Sequence, residues 1–156
     1  MDQIVPDVRI QEEDFDVNDE IRKLTEGRGD VGAVVTFSGL CRDEGSTLSA
    51  LELEHYPGMA EAEIKRIATD AIERFGLLGM TAIHRYGKIT PGDNIVLVIA
   101  TSPHRQASFD GANYLMDFLK TRAPFWKKEH MATGEAGDWV DAKDIDDQAM
   151  ERWKSN

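Results

Sequence analysis

Met80-Thr81-Ala82-Ile83-His84-Arg85-Tyr86, then Thr90-Pro91-Gly92-Asp93, then Asn94-Ile95-Val96-Leu97-Val98-Ile99-Ala100-Thr101 reads as two strands joined through a turn. What lies on either side decides the fold class. Upstream, Pro57 suits the first position of a helix. Ile64, Ile67, Ala68, Ala71, Ile72 and Phe75 follow at three- and four-residue steps, an amphipathic stripe that Gly76 and Gly79 end. Before that helix, Leu48 to Tyr56 alternates apolar Leu51 and Leu53 with Glu52 and Glu54, the period of a half-buried strand. Downstream, Ser102-Pro103-His104-Arg105 places a capping hydroxyl and a helix-starting proline ahead of a helix reaching about Thr121. Phe109, Ala112, Met116 and Leu119 are expected along one face of it, and a strand containing Phe125 and Trp126 follows. Strand, helix, strand, strand, helix, strand is the split βαβ order. The expectation is one α+β domain.

The remainder adds to this frame. Val5 to Ile10 predicts a short strand, and Asp16-Val17-Asn18-Asp19-Glu20 opens a short helix with acids in its first turn, where the helix dipole favours them. Gly32 to Leu40 is rich in β-branched residues and reads as a mostly buried strand, followed by a polar loop, Cys41 to Ser46. A Trp139-Val140 strand and a polar helix from about Ile145 close the chain.

The 156 residues are 41% hydrophobic and 30% charged, which describes a soluble globular protein. The longest apolar run, Ile95 to Ala100, is the length of a buried strand and too short to span a membrane. No secretory signal opens the chain, and a single cysteine, Cys41, precludes an internal disulfide and fits a reducing cytoplasm. The net charge of −11 argues against a general nucleic-acid binder. Residues 1–30 hold ten acids and four bases, residues 129–156 eight acids and three bases, and the middle holds eleven of each. The acidity is terminal, so the centre is free to carry a positive pocket for a compact anion such as a phosphate ester.

Leu119-Lys120-Thr121-Arg122-Ala123-Pro124-Phe125-Trp126-Lys127-Lys128-Glu129 carries four cations interrupted by a proline and two large aromatics, where a helix ends and a strand begins. Cations in the last helical turn complement the dipole. The Phe-Trp pair has no such explanation, and a stiff cationic run suits capture of an anion at a fixed place. His104 and Arg105 are a second candidate: they add donors to a helix start that already accepts anions, at a cost to helix stability. Arg42 stands at the end of a strand, where an arginine is commonly just surface. Cys41 reads as a buried inert thiol. His55, His84, His104 and His130 show no metal-ligand spacing, so neither a metal nor any other cofactor is expected. Met59, Met80 and Met116 read as core filler. Glycine-rich nucleotide loops and a serine nucleophile elbow are absent.

Five ordered motifs resemble the large, catalytic subunit of molybdopterin synthase, from about residue 30 to Trp153. They are Gly32 to Gly39 with Arg42; Leu53-Glu54-His55-Tyr56-Pro57-Gly58-Met59; Ile83-His84-Arg85-Tyr86-Gly87 with Pro91-Gly92-Asp93; His104-Arg105; and Leu119 to Glu129. The resemblance implies an α/β-hammerhead fold. It implies an enzyme that transfers sulfur from the C-terminal thiocarboxylate of a small ubiquitin-like subunit to cyclic pyranopterin monophosphate, forming the dithiolene of molybdopterin. It implies a central homodimer with one small subunit at each end. By the same resemblance Leu40, Cys41, Arg42, His104, Arg105, Lys120, Lys127, Lys128 and Glu129 are substrate-binding positions, Lys120 and Lys127 among them catalytic, with Phe37, Met116 and Lys143 lining the pocket and His104 and Arg105 reaching it from the opposite protomer. Relatives often carry Lys-Val where this chain has Leu40-Cys41, and some carry Arg where it has Lys143, which cannot form the same bidentate fork. Lys120 is the candidate central group. It stands four residues after Met116, and either transfers a proton, its pKa lowered by neighbouring cations such as Lys127, or stays charged and stabilises an anionic adduct. The chemistry of the residues alone leaves two rivals: a module that docks a ubiquitin-like tail without reaction, and a single-strand binder using Phe125 and Trp126 as stacking platforms.

Overall fold

The structure is a computed structural model, and it describes residues 3–43, 48–131 and 153. Among the described residues ten elements run in the order β1 (Asp7–Gln11), α1 (Val17–Thr25), β2 (Ala33–Leu40), β3 (Leu48–His55), α2 (Met59–Phe75), β4 (Gly79–Arg85), β5 (Gly87–Ile89), β6 (Asn94–Ser102), α3 (Arg105–Thr121) and β7 (Phe125–Met131). The α+β class is as expected, and the six-element order from Leu48 onward is present with β5 inserted. Its strands divide between two sheets, one in the order β1-β4-β6-β2 and one in the order β5-β3-β7. The segment between β4 and β6 is therefore more than a hairpin loop. Its first residues leave for the second sheet, where Leu51 and Leu53 of β3 face Ile89 and Gly87.

Alternation along β4 and β6 builds two cores. Met80, Ala82, Val96, Val98 and Ala100 face α2 and α3, against Ile64, Ala68, Ala71, Leu115 and Phe118. Ile83, Leu97 and Ile99 face the other way, toward Phe15, Val17, Ile21 and Leu24 around α1. Burial of such side chains contributes about 1.5–3 kcal/mol each. Asp16 caps α1, its carboxylate accepting from the Asp19 amide at 3.0 Å.

Several expectations are corrected. The first strand is Asp7–Gln11, starting two residues later and ending one residue later than read. Pro57 lies just outside α2, whose N-cap is Gly58. Gly79 opens β4 and does not belong to a helix end. Phe109 is 55% exposed; the buried face of α3 runs through Ser108, Gly111, Ala112, Leu115, Phe118 and Leu119. Met80 and Met116 are core, but Met59 is exposed. Ser102 does not cap α3. It ends β6, and its hydroxyl donates to the His104 carbonyl at 2.5 Å while meeting the Ser108 hydroxyl at 2.6 Å. The largest correction is β2, which is not mostly buried: Val34, Phe37 and Leu40 are all more than a third exposed. Among the described residues β2 pairs only with β6, so it is the edge of its sheet. Trp139-Val140, the helix from Ile145 and Lys143 lie outside the described residues.

Candidate active site

The turn Thr90-Pro91-Gly92-Asp93 anchors one wall. Its Asp93 amide bonds the Thr90 carbonyl at 3.0 Å, and Gly92 holds φ at 92°, a conformation its side-chain-free backbone adopts without strain. This turn then grips Cys41, which donates its amide to Asp93 and accepts from the Gly92 amide, both at 2.8 Å. The Cys41 thiol sits 3.7 Å from the Ile89 carbonyl and packs with Leu53 and Ile89. Burial pushes its pKa up, and Asp93, Asp43 and Glu129 add to the effect, so it stays a protonated, inert thiol as expected. Leu40 and Cys41 thus serve the wall differently: Leu40 is 52% exposed and Cys41 is core. Arg42 emerges, exposed, directly from this fixed point.

β7 forms the second wall. Its register against β3 pairs Phe125 with His55, Lys127 with Leu53 and Glu129 with Leu51. Residues directly opposite share a sheet face, so Phe125, Lys127 and Glu129 lie on the side of Leu53. Leu53 touches Cys41, and Glu129 is close enough to Cys41 to act on its thiol. Lys127 and Glu129 are therefore brought beside Cys41 and Arg42. Lys128 is not. It pairs with Glu52 and points to the opposite face, with Trp126 and with His130, whose Nε2 lies 2.9 Å from Glu52. Strand alternation separates neighbours that read as one cationic run.

Lys120 ends α3, whose last turn is closed by the Thr121 hydroxyl on the Asp117 carbonyl at 2.7 Å and the Arg122 amide on Phe118 at 2.8 Å. Met116, four residues earlier, is buried at 9%, while Lys120 is exposed. Five residues after Lys120, Phe125 stacks on His84 with centroids 3.9 Å apart and planes at 17°. Burial lowers the His84 pKa to about 4, and the charge of Lys120 contributes to that, so Lys120 lies within electrostatic reach of the same ring. Lys120, Phe125, Lys127 and Glu129 thus run in sequence toward Arg42.

His104 and Arg105 are exposed at the other end of α3. Fifteen helical steps put them ~22 Å from Lys120. They do not join the site within one chain. The Gly32 amide bonds the Ser102 carbonyl at 3.0 Å, and a Cβ on Gly32 would stand 2.1 Å from the Pro103 carbonyl oxygen, so the pair is held at the beginning of β2. Phe37 lies midway along β2 and is 40% exposed.

Sequence reasoning singled out neither His84 nor His55. Their signal was present: His84 continues the Met80, Ala82 alternation, placing an imidazole at a core-facing position. His55 Nδ1 is buried without a hydrogen-bond partner, its ring 4.6 Å from Tyr86 and 6.0 Å from Phe125.

The model of the family described as MoaE protein matches residues 10–122. The chain belongs to that family. Among MoaE relatives, the molybdopterin synthase catalytic subunit of Mesorhizobium japonicum is 68% identical over 153 residues, covering 98% of this chain and 96% of the relative. The protein of the same name from Rhizobium meliloti is 69% identical over 146 residues, covering 94% of each. A solved MoaE structure from Burkholderia ambifaria superposes with a TM-score of 0.82 at 41% identity, covering 97% of this chain and 99% of that one. In this MoaE chain no described helix is long and apolar enough to cross a membrane.

Proposed function

We propose that this chain is the catalytic subunit of molybdopterin synthase, acting in the cytoplasm. It takes sulfur from the C-terminal thiocarboxylate of a small ubiquitin-like subunit and delivers it to cyclic pyranopterin monophosphate. The observation that supports the site assignment is that Lys127 and Glu129 share the face of Leu53, which packs with Cys41 next to Arg42, while Lys120 lies five residues before Phe125, itself on that same face. As the sulfur of the thiocarboxylate bonds to the pterin, negative charge collects on the adduct, and Lys120 supplies a cationic donor there. Lys127 and Arg42 hold the substrate phosphate.

A second copy supplies the rest. β2 is an edge strand with three large apolar residues exposed, and a partner β2 laid antiparallel along it buries them. That arrangement carries the beginning of one β2, with His104 and Arg105, to the end of the other, with Arg42. Eight strand residues span ~26 Å, close to the ~22 Å that separates the two halves of the site in one chain. Phe37 then lies at the seam.

The test is dithiolene formation from thiocarboxylated small subunit and the pyranopterin. Lys120→Ala should nearly abolish it while the subunits still associate; full turnover in that variant would remove Lys120 from the mechanism. Mixing Lys120→Ala with Arg105→Ala chains should recover about a quarter of wild-type turnover, because half the dimers then hold one intact site. No recovery would refute the shared site.

A further inference from the structure

We propose that His84 is a positioning residue for Lys120, its Nε2 accepting a hydrogen bond from the lysine ammonium. This rests on the assignment of Lys120 made above.

The argument begins with the strand. Met80 and Ala82 face the layer of α2 and α3 while Ile83 faces α1, so His84 shares the sheet face that these two helices cover together. α3 ends at Thr121, and the chain returns through Phe125, whose ring lies flat on the imidazole. The ring is pinned along its edge as well, because Nδ1 lies 2.9 Å from the Arg85 carbonyl oxygen. A carbonyl only accepts, so Nδ1 carries the proton and Nε2 of the neutral ring carries the lone pair. Among the described residues Nε2 has no hydrogen-bond partner. It is an oriented acceptor without one, and the flexible Lys120 amine stands only five residues before the Phe125 ring that lies on it.

The neutral state is what this role requires. Burial, with Lys120 and His55 as neighbouring bases, keeps the imidazole uncharged at neutral pH. A charged ring would repel the ammonium, and a carboxylate would cancel the charge that the adduct needs. A neutral imidazole orients the ammonium and leaves its charge intact. Phe125 holds the ring against rotation, which explains an aromatic residue two positions before Lys127, on the same face of β7.

The experiment uses the complete enzyme with its thiocarboxylated small subunit and the pyranopterin. His84→Phe keeps a flat ring on Phe125 and removes the acceptor. It should lower kcat roughly ten- to a hundred-fold, the worth of a hydrogen bond to a charged group, with KM and subunit affinity unchanged. His84→Gln, whose amide oxygen reaches the place of Nε2, should restore most of kcat. Wild-type kcat in His84→Phe overturns the proposal, as does equal loss in both variants accompanied by equal loss of Tm. Lys120→Ala separates the two ideas. If that variant is inactive and His84→Phe is fully active, only the role of His84 falls; if Lys120→Ala turns over normally, the Lys120 assignment falls first.

Discussion

Replacing His84 with phenylalanine should flatten the acid dependence of stability as well as slow turnover. The folded protein holds this imidazole at a pKa of about 4 against an ordinary 6.5, chiefly through burial. Between those values the unfolded chain binds a proton that the native state refuses. Stability therefore rises with pH through this window, and is lost as the pH falls from 6.5 toward 4. Two and a half pKa units correspond to roughly 3 kcal/mol in full. Between pH 7 and pH 4.5 about 2 kcal/mol of that is expressed, and the partly open ring edge makes this an upper figure. Urea unfolding of wild type and His84→Phe at both pH values measures it. Carboxylates titrate in both proteins, so the quantity to compare is the difference of the two pH-dependent losses. Wild type should lose about 2 kcal/mol more than the variant on acidification. Equal losses would show that the ring is not held neutral by its surroundings, and the account of His84 as an uncharged acceptor would go with it.

Gly32→Ala sets a Cβ 2.1 Å from the Pro103 carbonyl oxygen, a backbone atom that cannot swing away. A loss of about 2 kcal/mol or more is expected in urea, together with weakened substrate binding through displaced His104 and Arg105. Wild-type stability would contradict the close approach. Trp153 donates its indole N–H to Asp117, stacks edge-on near Phe75 and Tyr114, and lies under Arg74. Trp153→Phe keeps a ring but leaves a carboxylate that is only 9% exposed without that donor, so denaturation should show a loss of about 1–3 kcal/mol; no change would make the indole contact incidental. Cys41, 3% exposed with its pKa raised, should resist thiol reagents in the native protein at pH 7 and react once unfolded. Rapid native labelling would place it at the surface.

Local periodicity determined most of the elements. The alternation of β3, the stripe of α2 and the Pro-Gly turn at residues 91–92 each declare themselves within a dozen residues, because their side chains meet neighbours near in sequence. The motifs were equally local, and they pointed to the family and to a set of candidate residues before any coordinates. What periodicity could not decide was which strands share a sheet. That depends on long-range pairing, as where β5 leaves the β4–β6 ladder for β3. Nor could it show that β2, rich in apolar and β-branched residues, is an exposed edge. A β-branched strand looks alike whether it is covered by its own helices or by a second copy. The cationic run at residues 120–128 was legible as chemistry, but its partition was not: strand alternation turns Lys127 inward and Lys128 away, and the length of α3 holds His104 and Arg105 ~22 Å from Lys120. The importance of His84 came from packing alone, since an imidazole becomes an uncharged acceptor only once burial, a backbone carbonyl and an aromatic face surround it.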